Sequence, residues 1–339
     1  MKGGQIGNNI KKQTEMKKIL MVLMLTGALV SCYSNYIEDW SYDGIYFPYQ
    51  FNVRTFVVGE GTKIEVGADL AGDRTNTKDR KVVFTRDNSL LANGLKLMKA
   101  AAAEQYIKDA VAPVTTLLPL PSNYYSLSDT SKIVIKAGNT MGSVVVTVDS
   151  TLFLTDSKTL FANYAIPFKL LSADADTILP LKNSAVIGLK YENMLFGNYW
   201  HGGITTVKNA SGATIQTIAY YSSVNQPENK IWNLKTVAPN ALVTNGYSDQ
   251  TTTKGEMKLT LDGTNIIVST NTGSTFAVLP NGASTLNRAK LLQNRNVLLN
   301  YKYVNAAGNT CYAQDTLIFR NRVRDGVNEW QDENPANYK

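Results

Sequence analysis

A single histidine, His201, limits the catalytic chemistry open to this chain. It sits in Tyr199-Trp200-His201-Gly202-Gly203. A Ser-His-Asp triad needs an imidazole to carry the proton, and transition-metal sites draw on several His or Cys ligands. One histidine and two cysteines, Cys32 and Cys311, supply neither constellation. His201 is therefore expected to be structural or solvent-facing, and no cofactor or metal is expected. Glycoside hydrolysis needs only two carboxylates, so residue count alone leaves a glycosidase open. Asp174 and Asp176, in Ser172-Ala173-Asp174-Ala175-Asp176, are close in sequence, but such a loop suits turn capping. Two alternating acids without a full oxygen-ligand loop do not make a calcium site.

Aromatic side chains are the stronger lead. A sugar ring presents a flat C–H face, and Trp or Tyr offers a flat apolar platform with a polar handle. Trp200, Tyr220, Tyr221, Trp232 and Tyr247 lie in the second half of the chain and are the candidate glycan contacts. Alternation on a strand turns only one of Tyr220 and Tyr221 inward. Trp200 and Trp232 come first because indole has the largest flat surface. Against this, Trp and Tyr are also ordinary core residues of β-proteins. Arg320-Asn321-Arg322-Val323-Arg324-Asp325 carries three arginines, which could meet acidic sugars. The simpler expectation is that Asp325 and Glu329 pair with them and fix the last strand to its loop.

Residues Met16 to Cys32 read Met-Lys-Lys, then a short apolar run, then Leu29-Val30-Ser31-Cys32. A charged start, a short apolar stretch and a small residue before the cut are the marks of a secretory signal peptide. Leu29-Val30-Ser31-Cys32 resembles the lipobox of bacterial lipoproteins. That resemblance implies cleavage before Cys32, acylation of the new N-terminus and anchoring to a membrane without crossing it. Residues Met1 to Glu15 are polar and without targeting logic, so Met16 is an alternative start. Loss of five lysines and one glutamate with the leader reduces 34 basic and 27 acidic residues to 29 and 26, a net charge of +3. So small an excess argues against a nucleic-acid partner. With Cys32 acylated, Cys311 has no partner for an intramolecular disulfide and is expected as a buried strand residue.

The elements that must position these residues are mostly strands. After a lipidated tether (32–43), residues 44–189 alternate apolar and polar: Ile64, Val66 and Ala68; Ile133 and Ile135; Val144, Val146 and Val148. Leu91, Leu95, Met98, Ala102, Tyr106 and Ile107 have helical spacing and predict one helix across Leu90 to Ala110. Pro113, Pro119 and Pro121 force an extended connector after it. The expected domain is an Ig-like β-sandwich with one helical insertion. A boundary falls between Asn183 and Glu192. Residues 190–339 then predict an antiparallel meander, either a lipocalin-like barrel or a second sandwich. Its strands include Ile204–Val207, Thr214–Tyr221, Lys230–Val237 and Ser274–Leu279. Asp262-Gly263 predicts a type I′ hairpin between two β-prone runs, and the tail from Arg324 is expected as loop.

Tyr42-Asp43-Gly44-Ile45-Tyr46-Phe47-Pro48 and Arg54-Thr55-Phe56-Val57-Val58-Gly59-Glu60 resemble the opening of a Bacteroidetes lipoprotein domain, domain of unknown function 1735. Leu118-Pro119, Tyr124-Tyr125 and Tyr164-Ala165-Ile166-Pro167-Phe168 extend the likeness. Gly197-Asn198-Tyr199-Trp200 and Phe319-Arg320-Asn321-Arg322-Val323-Arg324-Asp325-Gly326-Val327-Asn328-Glu329-Trp330 are similar to its companion, domain of unknown function 4361. Acidic Glu38 and Asp39, just past Cys32, loosely resemble the surface-export signal of such lipoproteins. The resemblance implies an outer-membrane, cell-surface lipoprotein of a polysaccharide-utilisation system. Its implied partners are a glycan, a porin-like importer and a lid lipoprotein. It brings no catalytic residues. The expectation is a non-catalytic glycan-binding lipoprotein; the alternatives are a docking lipoprotein of the same complex without sugar contact and, behind it, a glycoside hydrolase.

Overall fold

The computed structural model describes residues 42–72, 75–220, 229–252, 257–274 and 276–331. Cys32, the leader and Tyr221 lie outside the described residues. The chain is all-β, with a few short helices. No described helix is long and apolar enough to cross a membrane.

Two sheets form the first half. One runs in the order Thr177–Ile178, Gly44–Tyr46, Lys63–Ala71, Met141–Val148, Tyr125–Leu127. The other runs Phe51–Val57, Ser184–Glu192, Tyr164–Ala173, Arg80–Thr85, Lys132–Ile135. Ile45, Phe47, Val66, Phe84, Ile133, Val146, Phe168 and Ile187 fill the layer between them. The alternation read from Ile64–Ala68 and Val144–Val148 is the inward parity of that layer. Phe51–Val57 pairs in parallel with Ser184–Glu192, and Gly44–Tyr46 with Thr177–Ile178. These parallel pairings set the opening strands of the domain beside its closing ones, in two sheets that are otherwise mainly antiparallel.

The second sheet is covered on its other face by helices, so it is buried from both sides. That is why Tyr164–Phe168 and Ala185–Leu189 are continuously buried rather than alternating. The helical insertion is two helices, Leu90–Met98 and Gln105–Val111, not one. On one continuous helix, Met98 and Ile107 would point in opposite directions, since nine steps of about 100° end half a turn away. The break across 99–104 lets both pack against Val53, Ala165 and Val186. A third helix, Ser150–Thr155, escapes the sequence pattern; Asp149 caps it by accepting from Leu152 N at 3.0 Å.

The second half closes on itself. Gly197–Lys208, Lys230–Ala238, Ala241–Thr244, Met257–Asp262, Asn265–Thr270, Ser284–Leu286, Asn296–Val304 and Thr310–Arg324 are neighbours in that order, and the last pairs back to the first. This is the barrel form of the expected meander. Thr214–Tyr220 folds back on Gly203–Lys208. Among the described residues of Ser274–Leu279, only the end is strand, within Val278–Pro280.

Two Asp-Gly turns differ from the sequence reading. At Asp262-Gly263 the strands pair out to Asp262 and Asn265, and only Gly263 has positive φ, at 62°. That is the II′ pattern with glycine first. The type I′ pattern occurs instead at Asp325-Gly326, with φ of 51° and 82°. It joins Thr310–Arg324 to a final strand, Val327–Glu329, where a loop was expected. This terminal hairpin reaches the sandwich: Asp325 Oδ2 accepts from Thr55 N at 3.1 Å.

Candidate functional site

Parity on the Gly197–Lys208 strand sorts the candidate residues. Tyr199, His201, Thr205 and Val207 face the barrel interior and are buried, while Asn198, Trp200 and Ile204 face out. Trp232 is paired with Tyr199 and shares its inward parity. It is fully enclosed and offers no face to a ligand, which corrects its place among the glycan contacts. Its indole stacks on the His201 imidazole with centroids 3.8 Å apart and planes 11° apart. Gly246 is required above it, because a Cβ there would overlap the Trp232 Nε1.

Tyr220 is the second ring stacked on His201, at 5.1 Å. Its hydroxyl donates to Asp315 Oδ1 at 2.5 Å, and Tyr301 donates to Asp315 Oδ2 at 2.5 Å. Both distances lie in the range of charge-assisted bonds to a carboxylate. Tyr301 Oη also accepts from Ser248 N, and Thr205 Oγ1 bonds Ser248 Oγ at 2.6 Å. Burial first, and the Asp315 charge second, push the Tyr220 and Tyr301 hydroxyls well above the usual phenol value. His201 Nε2 lies 3.3 Å from Asp315 Oδ1. Tyr247 lies apart from this cluster, half-buried against Phe276 at 4.4 Å and Tyr303 at 5.1 Å. Cys311 is buried on its strand.

On the outer wall, Trp200 is half-buried between Ile231 and Ile318, its cross-strand neighbours. The Arg320 guanidinium covers its ring at 5.0 Å. Beside it runs a ladder of asparagines across four strands. Asn233 Nδ2 donates to Asn198 Oδ1 at 3.1 Å, Asn198 Nδ2 to Asn321 Oδ1 at 3.3 Å, and Asn321 Nδ2 to Asn328 Oδ1 at 2.7 Å. Asn198 and Asn233 also line a groove of about 800 Å³ between barrel and sandwich. Phe161, Phe196 and Tyr106 supply its aromatic walls, and Lys190, Lys235, Glu192, Asp109 and Asp325 its charges. The sequence reading missed this ladder. Its one signal was that Asn198 and Trp200 share a strand face.

Two of the three groove carboxylates are engaged; the third, Asp325, has an Oδ1 with no hydrogen-bond partner among the described residues. Glu192 pairs with Lys190 at 2.5 Å and accepts from Thr236, and Asp109 accepts from Gln105 at 2.8 Å. Burial raises the Asp325 carboxyl above its usual value.

The arginine motif fixes the two halves together. Arg322 clamps Glu60 with bonds of 2.9 and 2.6 Å, and Arg295 adds a third at 3.1 Å. Glu329 pairs with Arg322 and Arg324 as expected, both at 2.5 Å. Asp325 does not join them but turns to Thr55. Glu60, far away in the sequence, is the partner the motif could not reveal. Burial alone would raise the Glu60 carboxyl, but bonds and charge from Arg322 and Arg295 outweigh it and hold it below 4.5.

A family model described as a "-like, N-terminal domain" matches residues 39–177. No curated protein matches the chain. A solved protein of unknown function from Bacteroides ovatus shares 20% identity, with 86% of this chain and 98% of that one covered and a TM-score of 0.61. That likeness shows a shared fold. A multidomain protein including DUF1735 from the same species shares 11% identity over 86% of this chain and 100% of its own, with a TM-score of 0.42. EndoBT-3987 of Bacteroides thetaiotamicron, solved with Man5GlcNAc product, covers 41% of this chain and 28% of its own at 13% identity and a TM-score of 0.28. The last two scores are too low to bear on function here.

Proposed function

We propose that this chain is a non-catalytic glycan-binding lipoprotein, anchored through Cys32 at the cell surface of the outer membrane. The groove between sandwich and barrel is its ligand face. The observation that carries this reading is the asparagine ladder beside Trp200, where carboxamides offer both donors and acceptors to sugar hydroxyls. Residues 190–339 carry the asparagine ladder, and residues 44–189 serve as scaffold and supply the facing wall of the groove through Tyr106 and Phe161. A surface protein that hands glycan to an importer and its lid lipoprotein needs contact area and ready release, not reactive groups. The engaged state of Glu192 and Asp109 supports binding rather than hydrolysis.

Calorimetric titration of the soluble chain beginning after Cys32, against a panel of polysaccharides, is the test. Trp200→Ala should weaken binding by about 1–3 kcal/mol if the ring stacks once Arg320 swings aside. Asn233→Ala should cost about 0.5–1.5 kcal/mol, the worth of a neutral hydrogen bond. Wild-type affinity in both variants would remove the asparagine ladder and its neighbour Trp200 from the function. No binding across the panel would favour the docking alternative. New reducing ends, abolished by Asp325→Asn, would replace binding by hydrolysis. Separately, Cys32→Ala should lose metabolic labelling by a clickable fatty acid; equal labelling would end the lipoprotein reading.

A further inference from the structure

The barrel interior is apolar over one half. Tyr199, Leu242, Leu259, Val268, Leu299 and Leu317 pack there with the density of an ordinary core. Towards the far end of the Gly197–Lys208 strand the inward residues turn polar: His201, Thr205, Ser248, Tyr301 and Asp315, all at most 2% exposed. Apolar residues would fill this space at lower cost, since buried polar groups repay burial only when fully bonded. The network is not fully bonded. Among the described residues, His201 Nε2 has no hydrogen-bond partner, and its 3.3 Å approach to Asp315 lacks hydrogen-bond alignment.

Next to it lies a cavity of about 250 Å³. Its lining joins His201 and Tyr220 to Asn229, Lys230 and Asp249, with Ile218 and Ala219 as the apolar side. A concave site with a few convergent polar groups beside a buried titratable cluster is the common form of a small-molecule site. We propose that this end of the barrel is a second binding site, distinct from the groove, for one neutral polyhydroxylated ring the size of a single hexose. Size sets the first limit, because about 250 Å³ seats one ring within the cavity. Charge sets the second: Lys230 and Asp249 carry opposite signs, so the lining favours neither an anion nor a cation. Hydroxyls, which both donate and accept, match the carboxamide of Asn229, the ammonium of Lys230 and the carboxylate of Asp249, with the Tyr220 and His201 rings as the wall behind them. The site lies on the inner side of the wall, and Lys230 pairs with His201 three residues along from the Asn233–Asn198 pair of the groove. At about 3.3 Å per residue that is roughly 10 Å, so groove and cavity can be tested separately.

The lone histidine is a built-in reporter. Isotope-labelled soluble chain gives one set of imidazole resonances. Methyl glycosides of glucose, galactose, mannose and N-acetylglucosamine are titrated against it, with sorbitol as the open-chain control. At least one glycoside should move the His201 signals saturably, and the shift should persist in Asn233→Ala, which alters only the groove. Lys230→Gln, at an exposed side chain, should weaken that binding about tenfold while the imidazole spectrum stays folded. No saturable shift with any ring overturns the proposal. So does a shift that disappears in Asn233→Ala, or an affinity unchanged by Lys230→Gln.

Discussion

The sandwich and the barrel solve the problem of an interior differently. The layer between the two sandwich sheets is aliphatic and aromatic, with Ile45, Phe47, Ile133 and Ile135 at most 1% exposed. The barrel holds a similar apolar half, then admits an imidazole, a carboxylate and two tyrosine hydroxyls into the same lumen. Two facing sheets meet over a broad area, so the central inward positions are far from water. A barrel has ends, and positions near an end can be polar if they bond each other. The difference teaches where function can sit: the sandwich interior is committed to stability, and the barrel keeps one end chemically varied.

The largest test of that contrast is a pair of truncations. Phe168→Ala in the sandwich and Trp232→Ala in the barrel both remove enclosed rings, and each should cost about 3–5 kcal/mol in denaturant unfolding. If Trp232→Ala costs under about 1 kcal/mol, the polar end of the barrel is not packed as described. Next comes the joint between the halves. Arg322→Ala leaves Glu60 buried without its main partner, which should cost about 3–5 kcal/mol. Differential scanning calorimetry should then resolve two transitions where the wild type has one; a single transition at the wild-type temperature would show that the clamp does not couple sandwich to barrel.

The smallest effect is that of pH, and two carboxyls of the interface pull in opposite directions. Glu60 is held below its unfolded value, so its contribution is present above pH 4.5 and is lost as pH falls through the lower folded value. Asp325 is raised, so its burial starts to penalise the fold as pH rises above its unfolded value, does so fully above the higher folded value, and is relieved on acidification. Asp325→Asn should therefore sharpen the acid loss of stability, and Glu60→Gln should flatten it. Chemical denaturation from pH 3 to pH 7 distinguishes the two. Identical slopes in both variants would mean that neither carboxyl governs the joint.

Much of this fold was legible in local pattern. Period-two alternation reports which face of a strand meets a core, and Lys63–Ala71, Lys132–Ile135, Met141–Val148 and Asn296–Val304 fall where that alternation lies, whereas Ser184–Glu192, buried on both faces, reads in sequence as a boundary. The failures have the same root. The helix across Leu90 to Ala110 has the right composition, but only the sheet beneath it demands that Met98 and Ile107 face one way. Asp262-Gly263 and Asp325-Gly326 are the same dipeptide, and strand register decided which took the I′ turn. Sequence alone also determined that His201 has no second histidine to complete a triad or metal site. It could not rank Trp200 against Trp232, because both sit on alternating strands and only barrel closure says which parity is inside. Nor could it find Glu60 as the partner of Arg322, or Asp315 as the centre of the tyrosine network. Those pairings join residues far apart in the chain, and the energies that select them arise only once the sheets curl and bring charges into low dielectric together.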